Sequence, residues 1–152
     1  MTTAKEKSEA SFTAALSVAA RKMRNVFDAR VKTHGLTLAR ARALQYLARE
    51  ENVSQRDLAD HLEIEHPSVV RLLDGLEKQG LIVREAMDGD RRAKRIELTA
   101  ASRDLIKELD GITKAMRHQL LEGIDPTALE TALRVLQHVA QQADRLIGES
   151  DR

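Results

Sequence analysis

A chain of 152 residues, 42% hydrophobic and 32% charged, suits one compact domain with long solvated helices, and 25 Lys+Arg against 24 Asp+Glu leave it nearly neutral at +1. Having no cysteine excludes disulfides, thiolate metal sites and thiol redox chemistry together. No stretch approaches the roughly 18 apolar residues of a membrane span. The segment Met1–Ser8 lacks the apolar core of a secretory signal, so a bacterial cytosol is the expected location.

In chain order, Phe12, Leu16, Ala19, Met23 and Phe27 recur at spacings of three and four, which predicts an amphipathic helix over residues 8–33. The next clear start signal is Ser54. Its hydroxyl suits an N-cap, and Asp57, three residues on, resembles the acidic partner of a capping box. The helix so begun, Gln55–Leu62, carries a narrow apolar stripe of Leu58, Ala59 and Leu62. A short break, Glu63–His66, follows. Pro67 then fits a first helical position, and Val69, Val70, Leu73 and Leu76 keep the helical period as far as Gly80, which suits a left-handed C-terminal cap. Two helices joined by about four residues form a helix-turn-helix candidate.

Beyond Gly80, Leu81–Ala86 is β-prone, Met87–Asp90 is a turn signal, and Arg95–Leu98 alternates with Ile96 and Leu98 inward. Between them Arg91, Arg92, Lys94 and Arg95 place four cations in five positions, a charged hairpin tip able to lie along a nucleic-acid backbone or groove. The expected unit is therefore a winged helix-turn-helix over residues 37–99. Its second helix presents Pro67, Ser68 and Arg71 near the N-terminal end, where a recognition helix meets base edges, and Arg71 suits the two acceptors of guanine. Ser54 and Gln55 at the preceding helix start, and Arg91, Arg92 and Lys94 on the wing, complete the expected DNA contacts. The plain alternative for Arg71 is a surface arginine paired with Asp74 or Asp57.

Ile64–Ile82 followed by Asp90–Thr99, with the patterns L-E-x-x-G-L-I and D-R-R-A-K-R-I-x-L-T, resembles the MarR family of bacterial transcription regulators, and within it the SlyA-like branch. The likeness is dense from about Thr37 to Thr99 and looser in both flanks. It implies a homodimer that binds a pseudo-palindromic operator, acts as a repressor or counter-silencer, and often leaves DNA when a small aromatic carboxylate binds. It also places Arg92 on the wing at a D-x-R position. On the family pattern an effector cavity lies between the long terminal helices and the winged unit, where Arg21, Arg24 and His34 are candidates to hold a carboxylate; the alternative is that both arginines are interface or surface residues.

The C-terminal part continues the helical reading. Leu105, Leu109, Ile112, Met116 and Leu120 form a row after a Thr99 cap. Leu129, Leu133, Leu136, Ala140, Ala143 and Ile147 form another, opened by Asp125 as cap and Pro126 in the first turn. Together with the N-terminal row they exceed what a small winged unit can cover, so residues 8–33 and 100–148 are expected to pair two subunits, the alternative being an intrachain three-helix bundle. The fold class is thus mainly α with a small β-wing (α+β), a single winged domain over 1–152 with long N- and C-terminal dimerisation helices.

Charge distribution bears on the partner. Residues 54–98 carry eight Lys+Arg against ten Asp+Glu, short of the strongly basic surface of indiscriminate DNA binders. Moderate, salt-sensitive binding through specific contacts is expected, aided by Arg40, Arg42 and helix N-termini. Glycine-rich phosphate loops, H-E-x-x-H and G-x-S-x-G are absent, and His34, His61, His66, His118 and His138 have no metal-ligand spacing, so no enzyme, cofactor or metal is expected. His61 and His66 read as solvated turn histidines. A winged module docking on protein is the rival from another class, but Met87–Lys94 offers only Met87 as an apolar anchor.

Overall fold

The structure, a computed structural model, describes residues 3–150 except Asp88; of Met87 and residues 90–94 it describes the backbone alone. In chain order the elements are α1 (Ala4–Val31), a short 3-10 turn (Lys32–His34), α2 (Leu38–Arg49), α3 (Gln55–Leu62), α4 (His66–Lys78), β1 (Ile82–Met87), β2 (Asp90–Leu98), α5 (Ala100–Leu120) and α6 (Pro126–Ser150). It is a mainly helical winged helix-turn-helix with one antiparallel strand pair. Two compact units divide the chain after Met116.

The first unit has one apolar core. Phe27 and Val31 from the end of α1, Ala41 and Leu44 from α2, Leu58 and Leu62 from α3, Val69, Leu72, Leu73 and Leu76 from α4, Ile82 from β1 and Ile106 and Leu109 from α5 are all buried. Ile96 and Leu98 of β2 pack against this core, while Arg95 and Glu97 stay exposed, as period-two alternation requires. Polar ties set how the helices meet. Asp28 of α1 accepts from the amide of Leu38 at the start of α2 (3.2 Å), and Gln45 of α2 donates to Asp110 and Thr113 of α5, each at 3.0 Å. The contact with Lys32, followed by its charge and the Leu38 amide, holds the Asp28 carboxyl below its ordinary range despite opposing desolvation.

The punctuation read from sequence is present with two shifts. Ser54 and Asp57 form a reciprocal capping box. Glu63 takes a left-handed conformation (φ 56°) so that the amide of Ile64 reaches back to the Ala59 carbonyl, a Schellman closure at a position without glycine. Gly80 (φ 72°) closes α4 in the same way through Leu81 and Leu76. However, α4 begins at His66 with Glu65 as its N-cap, so Pro67 occupies the second helical position. The charged run 90–94, expected as a loop, has strand backbone. Register slips there: Ala86 faces Lys94 and Met87 faces Asp90, so one step along β1 corresponds to four along β2. Gly89, at φ 87°, supplies the positive dihedral of the turn.

The predicted helical rows exist, but their surroundings differ along their length. In α1 only Phe27 is buried from the row; Phe12 and Met23 are 40% and 45% exposed. In α5, Leu109 and Met116 are buried together with Ile106 and Ser102, which the row omitted. In the second unit, α6 opens as expected, with the Asp125 carboxylate accepting from the Ala128 amide (3.1 Å). None of its residues is buried, and Leu129, Leu133, Leu136 and Ile147 lie 39–62% exposed.

His61 departs from its expected role as a solvated turn residue. Its ring stacks on Tyr46 at 4.0 Å between centroids and 12° between planes, and joins α3 to α2. Burial, then the cations of Arg42 and Arg49, push its pKa below the ordinary 6.5, against weaker opposing pulls from Glu50 and Glu63. The folded state therefore prefers neutral His61, whereas the unfolded chain protonates near 6.5. The contribution is complete above that value, declines as pH falls through the interval down to the depressed folded value, and is constant below it. Thermal melts from pH 8 to 5 should show a midpoint that falls below pH 6.5, and His61→Phe, which keeps a ring for Tyr46, should flatten that fall; an unchanged slope would refute the assignment.

Candidate nucleic-acid interface

The interface is built on the two-sidedness of α4. At about 100° per residue, the buried set Val69, Leu72, Leu73 and Leu76 occupies one side, and Pro67, Arg71 and Lys78 fall roughly opposite. Pro67, Arg71 and Lys78 are exposed and Ser68 is partly so. Arg71 makes no hydrogen bond or ion pair among the described residues, and the two carboxylates that could pair with it are engaged elsewhere. Asp74 holds Arg84, and Asp57 holds the Ser54 amide and hydroxyl at 2.9 and 2.7 Å. Those bonds, with the side-chain one foremost, keep the Asp57 carboxyl below its ordinary range.

Other expected contacts fare differently. Ser54 is committed to capping α3, while Gln55 stands beside it, partly exposed. Arg40 donates to Gln79 (3.0 Å) and its guanidinium lies on Gly75, where a Cβ would displace it. Arg42 donates to the His61 carbonyl (3.1 Å). Both arginines thus tie α2 to its neighbours. The side chains of Arg91, Arg92 and Lys94 lie outside the described residues; their backbone forms the start of β2.

Two features escaped the sequence reading. Lys78 lies seven residues after Arg71 on the same face of α4 and extends its positive edge by two turns; the i, i+7 spacing was the available signal. Arg84, read only as part of a β-prone run, donates through Nη2 to Asp74 (2.5 Å) and through Nη2 and Nε to Glu77 (2.6 and 3.2 Å). Glu77 foremost, then Asp74, raise its already high pKa. A cleft of about 1040 Å³ opens beside this clamp, lined by Ser54, Gln55 and Arg56 of the α3 start, Asp74 of α4 and Arg95 of β2 among others.

The expected effector residues are not brought together with that cleft. Arg21 and Arg24 are exposed on α1, and His34 contacts Glu108 of α5 (Nε2 to Oε2, 3.3 Å) and Thr33. Among the described residues no group of three or more His, Cys, Asp or Glu has the arrangement of a metal site, and no helix is long and apolar enough to cross a membrane.

A sequence model of the MarR family matches residues 34–93, the stretch from the 3-10 turn to the wing. The solved structure of transcriptional regulator PA3341 is 37% identical, superposes with a TM-score of 0.81, and covers 88% of this chain and 98% of its own. The chain belongs to the MarR family of transcriptional regulators. CouR from Rhodococcus jostii RHA1, solved with p-coumaroyl-CoA, is similar at 28% identity over 83% of this chain and 89% of its own, with a TM-score of 0.71. The S. aureus MepR–DNA complex shares the MarR fold at 23% identity, with a TM-score of 0.77 and coverage of 87% and 97%.

Proposed function

We propose that this MarR protein is a homodimeric, sequence-specific regulator that binds a pseudo-palindromic duplex and acts as a repressor or counter-silencer in the bacterial cytoplasm, at the nucleoid. The observation that carries the reading is Arg71, exposed on the face of α4 opposite the core and without a partner among the described residues. In this reading Pro67, Ser68 and Arg71 enter the major groove, and Arg91, Arg92 and Lys94 of the wing follow the minor groove or its phosphates. Ser54 and Gln55 then approach the backbone at the start of α3. The MepR–DNA complex supports it through the shared fold. Assignment to the SlyA-like branch rests on the sequence resemblance over residues 64–99.

Dimerisation belongs to the same reading. The apolar rows over 8–33 and 100–148 flank the winged unit at 37–99, and an exposed stripe from Leu129 to Ile147 on a 25-residue helix is the surface a second copy would cover. Sedimentation should give a dimer at micromolar concentration. Deleting Asp125–Arg152 should abolish both the dimer and palindrome binding; a truncated monomer with wild-type operator affinity would defeat the proposal.

The two arginine sets should separate by what they read. A duplex pool selected with the wild-type protein should yield a palindrome with half-sites about 34–36 Å apart. On that duplex Arg71→Ala should cost roughly 1–3 kcal/mol and relax one base pair per half-site. Arg92→Ala should weaken binding to many sequences and flatten its salt dependence. Unchanged base preference in the first variant, or an unchanged salt slope in the second, would show the contacts to be wrongly assigned.

An aromatic carboxylate is the proposed effector class, with Arg21, Arg24 and His34 as its candidates; the aromatic acyl thioester held by CouR supports an aromatic ligand in the family. Salicylate should weaken operator binding by about 1–3 kcal/mol of coupling, and Arg24→Ala should blunt this while leaving unliganded binding intact. Equal calorimetric affinity of salicylate for free and DNA-bound protein would exclude the linkage.

A further inference from the structure

The recognition helix and the wing are expected to contact DNA together, and one residue joins them. Ile82 is buried at the base of β1, and Ile96 and Leu98 of β2 pack on the core beside it. Arg84, which faces Ile96 across the strand pair, is the next residue outward on the same side of β1. Beyond it, Glu85, Ala86 and Gly89 are exposed, and no described side chain of the outer hairpin is buried. Arg84 is therefore the outermost described anchor between the hairpin and the body of the molecule. Its side chain is only 12% exposed, against 57% for Asp74 and 41% for Glu77.

The form of the anchor matters as much as its place. Asp74 and Glu77 stand three residues apart on α4, adjacent on one flank of that helix. A planar guanidinium engaging both fixes distance and also rotation of the strand relative to the helix, which a single ion pair would leave free. From Arg84 to the turn the hairpin extends about 10 Å at the usual rise of a strand, so a small rotation at the anchor becomes a larger displacement at the charged tip.

We propose that Arg84 is a positioning residue for DNA reading: through Asp74 and Glu77 it sets the wing against the recognition helix so that both contact sets meet one duplex in register. This rests on the DNA-binding reading above. Random duplex places no demand on that register, since phosphate contacts form in many orientations. Loss of the clamp should thus lower discrimination more than general affinity.

Removing Arg84 alone would also bare two carboxylates beside α4 and repel any DNA. The informative protein is the neutral triple variant Asp74→Asn, Glu77→Gln, Arg84→Met, with Arg84→Lys as the conservative control. The probes are the duplex selected by the wild-type protein and a shuffled duplex of equal length, measured below the melting onset of every variant. The wild-type ratio tests DNA reading first: no preference for the selected duplex would sink that reading and this proposal with it. Given a wild-type preference, the triple variant should bind shuffled duplex within about threefold of wild type yet lose about tenfold in the operator-to-shuffled ratio, and Arg84→Lys should regain part of it. A triple variant with the wild-type ratio would overturn the proposal, whether or not its melting temperature falls, because clamp and charge would then serve stability or neutralisation alone.

Discussion

Four apolar side chains along one side of α4 hold the rest of the interface in place. Val69, Leu72, Leu73 and Leu76 are buried on the side that meets α2, α3 and β1, and each such burial is worth roughly 1.5–3 kcal/mol, against about 0–1 kcal/mol for an exposed ion pair. Rotating the helix to hide Arg71 would expose several of these residues at once. The apolar face therefore decides which way the polar face points, and the charged residues decide only what that face can bind. Thr99 extends the same logic to the strands. Its hydroxyl donates to the Gly80 carbonyl at 2.7 Å while its oxygen accepts from the Ser102 amide at 3.3 Å, so the end of α4, the base of the wing and the start of α5 meet at one side chain.

An acidic winged unit is a poor surface for DNA only if its carboxylates are free to act on it. Here three of the most relevant ones are already engaged: Asp57 in the cap of α3, and Asp74 and Glu77 around Arg84. Arg84 offsets part of the charge of Asp74 and Glu77 at close range, and the Ser54 donors hold Asp57 in the cap. Arg71, by contrast, has no such partner among the described residues. At the outer face of α4 one of the two carboxylate charges is balanced by Arg84 and Asp57 is turned into the α3 cap, whereas Arg71 keeps its full charge, so the net charge of residues 54–98 understates the attraction there.

Much of this was legible in the sequence where a local rule has one dominant cause. The Ser54–Asp57 box, Gly80 as a left-handed cap, the Asp125–Pro126 helix start and the alternation Arg95–Leu98 each depend on neighbours within a few residues, and each stands in the structure. What was not legible depends on distant partners. Arg40 and Arg42 read as cations available to DNA, yet Gln79 and the His61 carbonyl take them; His61 read as a turn residue, yet Tyr46 of another helix stacks on it. Arg84 gave no signal at all, since its two carboxylates lie seven and ten residues earlier on a different element. The charged run 90–94 looked like a loop because propensity there is polar, whereas pairing with β1 at its two ends, Lys94 with Ala86 and Asp90 with Met87, carries strand backbone across it.

The long helices pose a different physical problem. An isolated helix is marginal in water, and most helical stability in proteins comes from packing an apolar face. α6 is 25 residues long, has its leucine row 39–55% exposed at Leu129, Leu133 and Leu136, and has no fully buried residue. Its capped first turn supplies about 1 kcal/mol, far too little to hold that length. On the dimer reading the missing stabilisation comes from the second subunit, so subunit association and ordering of α6 are one event. Stability then depends on protein concentration by mass action, and anything that loosens the dimer also removes the frame that spaces the two recognition helices along the duplex.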